Sequence, residues 1–216
     1  MKTLTIIPLL IAILVMIVSK SFATDGKYEQ AMKKNIQTVY TAKTIDELQA
    51  AVNSFERIGA AEKTKWEPHY YAAFGYIMMA NAEKENAKRD GYLDQAVKSL
   101  GAAKAIVGED SEVIALEGFA TMIRVSVDPG SRGPQYAPLA MQQFGKALTL
   151  NPTNPRAMAL LAQMQYGTAQ FFGSATTEAC ETLNKSLTSF DNYKSENPLA
   201  PQWGRGMAEG MKEKCK

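Results

Sequence analysis

Histidine is almost missing from this chain: His69 is the sole one in 216 residues. A nucleophile–base pair or triad needs a base oriented by a third group, and His69 stands between Pro68 and Tyr70 with no nucleophile motif near it. Cysteine is scarce too, with only Cys180 and Cys215. One histidine and two distant cysteines are a poor ligand supply for a zinc site. No P-loop, dinucleotide fingerprint or H-E-x-x-H is present. Charge of one sign is not in excess either, since 24 Lys and Arg face 22 Asp and Glu. Nucleic-acid binding draws much of its affinity from basic charge, so that class of partner is not expected.

One long apolar run exists, Leu4 to Val18, interrupted only by Thr5. Lys2 precedes it, and Ser21-Phe22-Ala23 follows as a small-x-small exit. This is the pattern of a cleavable signal peptide, and the run is shorter than the roughly 20 residues that span a bilayer. We expect Met1–Ala23 to be removed, leaving a single domain over 24–216 with no membrane span, exported to a periplasmic or extracellular compartment. Nine of the 11 methionines remain after cleavage. Their helical spacing reads as flexible core filler.

Beyond Asp25, apolar–polar alternation is absent and apolar residues recur three and four apart among good helix formers. Thr44-Ile45-Asp46-Glu47 forms a capping box. Asn154-Pro155, Ser111-Glu112 and Asn197-Pro198 read as helix starts. The class is all-α. Acidic Glu109, Asp110 and Glu112 suit a helix N-terminus better than a glycosidase carboxylate pair.

A spacing then repeats: Ala51…Phe55…Ile58, Ala96…Leu100…Ala103, Ala140…Phe144…Ala147 and Ala179…Leu183…Ser186. Preceding helices are marked by Tyr71…Phe74-Gly75, Ile114…Gly118 and Met158…Leu161-Ala162. This resembles the tetratricopeptide repeat, and the whole resembles short secreted tetratricopeptide (TPR) proteins of Gram-negative bacteria. The resemblance implies a right-handed helical-hairpin solenoid of about four repeats with a closing C-terminal helix from about Leu199. The family repeat is 34 residues; the middle copies here are longer. The insert at Asn81–Asp90 should lengthen its two helices. The insert Asp128–Pro138, rich in Pro and Gly, reads as a loop.

The resemblance also implies a concave face lined by first helices. The positions it marks are His69, Tyr76 and Met79, then Glu112, Phe119 and Met122, then Arg156, Gln163 and Tyr166. That points to a non-enzymatic module binding a peptide or partner protein, with a scaffold of the cell envelope as the alternative. No cofactor and no catalytic residue are expected, while oligomeric state stays open. On the Asp128–Pro138 loop, Arg132 offers a clamp for a carboxylate or phosphate and Tyr136 a flat contact; otherwise Arg132 is tied to Asp128. Finally, antiparallel return of the closing helix brings Cys180 and Cys215 to nearly the same level at 1.5 Å per residue. We expect them to pair, the alternative being two free thiols.

Overall fold

The computed structural model describes residues 26–215, so the signal expected at Met1–Ala23 lies outside the described residues. Among the described residues nine α-helices follow one another: α1 (helical over 26–41), α2 (Ile45–Ala61), α3 (Glu67–Ala82), α4 (Asn86–Val107), α5 (Ser111–Val127), α6 (Pro129–Leu150), α7 (Pro155–Phe172), α8 (Thr177–Asn192) and α9 (Arg205–Lys212). A 3₁₀ turn, Glu213–Cys215, ends the chain. Among the described residues there is no strand, and no helix is long and apolar enough to cross a membrane.

From α2 to α9 consecutive helices pack together, and α3 also touches α5 while α5 touches α7. Neighbouring hairpins therefore stack through their first helices, which makes a solenoid. The repeated triplets explain why. Ala51, Phe55, Ala96, Leu100, Ala103, Ala140, Phe144, Ala147, Ala179, Leu183 and Ser186 are all buried on α2, α4, α6 and α8. Small residues at these positions let helices approach closely. At Gly118 of α5 a Cβ would meet the Phe144 ring at 2.5 Å, so only glycine fits beneath that ring.

Helix ends follow local chemistry. Thr44 accepts from the Glu47 N–H while the Glu47 carboxylate accepts from the Thr44 N–H. Asn154 caps α7, with Pro155 at its first position. Two expected starts shift. Asp110, not Ser111, caps α5 by accepting from Glu112 and Val113. No helix begins at Asn197-Pro198; Asn197 closes a turn by accepting from the Leu199 N–H.

Two larger departures decide where a ligand can go. The Asp128–Pro138 stretch is the first half of α6 and not a loop. Asp128 caps it, accepting from the Ser131 N–H and hydroxyl. Pro129 occupies the first turn, where no donor is required. Arg132 forks onto Asp90 of α4 through two bonds of 2.7 Å, so it is tied to Asp90 and not to Asp128. These anchors offset the two hydrogen bonds that Pro134 and Pro138 remove from the helix interior. The Asn81–Asp90 insert lengthens α4, which runs 22 residues, whereas α3 stops at Ala82.

The second departure is the tail. The closing helix starts at Arg205 and not near Leu199. Between α8 and α9 the chain crosses the first helices without helical structure. The Gln202 N–H donates to Tyr40 of α1, and Tyr71 of α3 donates to the Leu199 carbonyl at 2.7 Å. Trp203 stacks on Phe74 and Phe119, with centroids 5.1 and 5.7 Å away, and its indole N–H donates to the Tyr70 hydroxyl. α9 then packs Ala208 and Met211 against Ala159, Ala162 and Leu183, while Gly206 and Gly210 face outward. Cys180 and Cys215 are disulfide-bonded with Cα atoms 5.6 Å apart, closing a 35-residue separation. In the chain-entropy model such a loop contributes about 3–4 kcal/mol.

Candidate functional site

The expected concave face is closed, the tail covering Phe119 through Trp203 and the helical core enclosing Tyr76 and Met79. Tyr76, Met79 and Phe119 are core residues, no more than 7% exposed. Phe119 lies under Trp203, and the Tyr76 hydroxyl donates to Glu56 at 2.8 Å. Burial and that carboxylate push the Tyr76 phenol up to about 12. His69 packs against Gly59, and burial lowers its pKa from the usual imidazole value. Arg156 is fully buried in a two-bond pair with Glu112 at 2.6 Å, its guanidinium 4.3 Å from the Tyr193 ring centroid. Tyr166 is half-buried and donates to the Lys214 carbonyl. Tyr136 is half-buried on α6, and Arg132 spends its fork on Asp90.

Of the expected binding residues, Met122 and Gln163 do lie on an open site, but it is a different one. Between α6 and α7 runs a groove of about 630 Å³, floored by the end of α5. That lies within the roughly 300–1,000 Å³ usual for small-molecule sites. The α6 wall is built at helical spacing from Pro129, Gly133, Pro134, Ala137, Pro138 and Met141. The α7 wall repeats the pattern with Gln163, Met164, Gly167, Thr168, Phe171 and Phe172. Met122, Ile123, Val125 and Ser126 form the floor, and Asn81 stands at one end. No lining residue carries a charge.

Three features mark this groove as built to hold something. First, Phe171 and Phe172 are 65% and 74% exposed, packed edge to face at 5.1 Å. Two neighbouring exposed aromatics are a large unsatisfied apolar surface on a folded chain. Second, Gly133 and Gly167 are glycines inside helices with no heavy atom within 4 Å of where a Cβ would be. Each costs about 0.5–1 kcal/mol relative to alanine, and each leaves its wall flat. Third, Pro134 and Pro138 stand four apart, so the helix face weakened by their missing donors is the groove face. The α7 wall ends at Gly173, whose positive φ of 67° stops the helix just past the phenylalanines.

The groove is not visible in the sequence because the proline and glycine at 129–138, which form the α6 half of its walls, have loop propensity. A signal was there: on α7, residues 163, 164, 167, 168, 171 and 172 make one face that ends in a Phe pair. Among the described residues no group of three or more His, Cys, Asp and Glu converges as a metal site would.

Among solved structures, the chain is similar to the HusA haemophore from Porphyromonas gingivalis. The TM-score is 0.78 and the identity 28%, covering 88% of this chain and 92% of that one. It is also similar to a thermophilic TPR protein from Thermus thermophilus, with a TM-score of 0.48 and 13% identity over 81% and 86% of the two chains. No protein-family model and no curated protein matches the chain. The first likeness extends over nearly all of both chains, so the whole helical architecture is shared with a protein described as a haemophore.

Proposed function

We propose that this chain is an exported, non-enzymatic binding protein that holds a flat, largely apolar ring compound of the porphyrin class in the α6–α7 groove. The observation that carries this reading is the uncharged groove itself, with flat glycine-bearing walls and two exposed phenylalanines at its end. Its likeness to a haemophore over 88% of its length supports the same cargo class. Export rests on the Met1–Ala23 pattern, with a mature domain over 24–216, and the Cys180–Cys215 disulfide fits an oxidising compartment. The peptide expected on the first-helix face gives way to this cargo, since Trp203 covers that face.

The donor set determines how the ring is gripped. Haem iron is commonly held by His, Cys, Tyr or Met. The groove offers none of the first three, only the sulfurs of Met122, Met141 and Met164. Apolar contact with the macrocycle therefore supplies most of the affinity, and the metal little. Titration of the mature protein with haemin and with metal-free protoporphyrin IX, followed by absorbance of the porphyrin band, tests this. Both are expected to bind one per chain with affinities within about threefold of each other, roughly 0.6 kcal/mol. Saturable binding of haemin with no binding of the metal-free ring would contradict the grip; no binding of either would remove the reading.

A further inference from the structure

Resting on the porphyrin reading of the groove, we propose that Arg89 binds a carboxylate of the cargo, so that the site selects an apolar ring bearing an acidic arm. Arg89 stands in the first turn of α4, half-buried, and reaches over to the floor of the groove. Its Nε donates to the Ala80 carbonyl at 3.1 Å, and its terminal nitrogens donate to the Ser126 carbonyl and hydroxyl at 3.4 and 2.7 Å. Ser126 and Asn81, the neighbour of Ala80, both line the groove. The guanidinium therefore lies directly behind the lining at the groove's α3–α5 end, bonded to Ser126 without itself forming part of the wall.

All three of those acceptors are neutral. The other two arginines at this end are not held this way: Arg124 bonds Asp90 and Asp94, and Arg132 forks onto Asp90. The nearby acids are engaged elsewhere as well. Asp90 takes both arginines, Glu83 accepts from the Lys84 and Glu85 N–H groups, and Glu85 pairs with Lys88. A guanidinium has five N–H donors, and three serve these bonds, which leaves two for an incoming acid. Asp90 is near enough to feel the Arg89 charge, yet its hydrogen bonds go to Arg124 and Arg132. Beside an uncharged groove, a guanidinium whose own hydrogen bonds all go to neutral acceptors can take a carboxylate, since such bonds are shorter and stronger than neutral ones.

A capping role for Arg89 on the last turns of α3 and α5 predicts something different, and a two-by-two comparison separates them. Full-length wild type and Arg89→Met are each titrated with protoporphyrin IX and with its dimethyl ester. Wild type is expected to bind the diacid at least tenfold more tightly than the diester, and Arg89→Met to bind the two equally. A purely structural arginine would weaken both rings alike and leave the diacid preference in place, which overturns the proposal. Failure of wild type to take up either ring overturns the groove reading itself. If Arg89→Met loses helix content, Arg89→Gln, which keeps a donor for Ser126, carries the same comparison.

Discussion

The Phe171→Ala/Phe172→Ala double variant is expected to bind protoporphyrin IX about a hundredfold more weakly than wild type while unfolding at the same temperature. The two halves of this result have one cause. At 65% and 74% exposure the rings contribute little to the core, so removing them leaves no cavity. A ligand in the groove would cover both. Fully burying a Phe side chain is worth roughly 1.5–3 kcal/mol; two partial burials sum to about 3 kcal/mol, or roughly two orders of magnitude in affinity. Porphyrin titration and a thermal melt on the same sample check both halves. Unchanged affinity would show that the cargo sits elsewhere.

Trp203→Ala is expected to do the reverse, lowering stability by about 3–5 kcal/mol, as large buried aromatics do when truncated. The ring is 7% exposed, lies between Phe74 and Phe119, and donates its N–H to Tyr70 at 2.9 Å. Its loss opens a cavity, strips a hydrogen bond from a buried hydroxyl and loosens the tail that crosses α1 and α3. For a chain near 190 residues that shift is roughly 10 °C in Tm, read by circular dichroism. A melt identical to wild type would mean that the tail is not docked and the first-helix face is open after all.

The contrast between these variants shows what was legible in the sequence. The second helices were, because Ala96, Leu100 and Ala103 and their counterparts recur at a spacing that only a packed helix face requires. So was the Thr44–Glu47 box, whose chemistry is local. The groove was not. Proline and glycine at 129–138 carry loop propensity, and what holds them helical is tertiary: Asp90, forty-two residues before Arg132, receives its fork. The tail was not legible either. Residues 193–204 have no periodicity, and their partners Tyr40, Tyr70 and Tyr71 lie more than a hundred residues away. Lacking those contacts, the repeat resemblance placed the ligand on the face that the chain covers itself. Tyr76 and Phe119 read as a binding surface because first-helix positions look alike whether a peptide or the protein's own chain lies over them, here Glu56 of α2 at one and Trp203 at the other.

The most direct test is methyl NMR of the methionines during addition of protoporphyrin IX. Met122, Met141 and Met164 line the groove, whereas Met32 and Met79, at 0% exposure, take no part in lining it. A porphyrin ring current displaces methyl signals close to its face. The account predicts that the Met122, Met141 and Met164 methyls move together and saturate at one porphyrin per chain, with Met32 and Met79 unmoved. Saturable binding that leaves those three signals in place would contradict it.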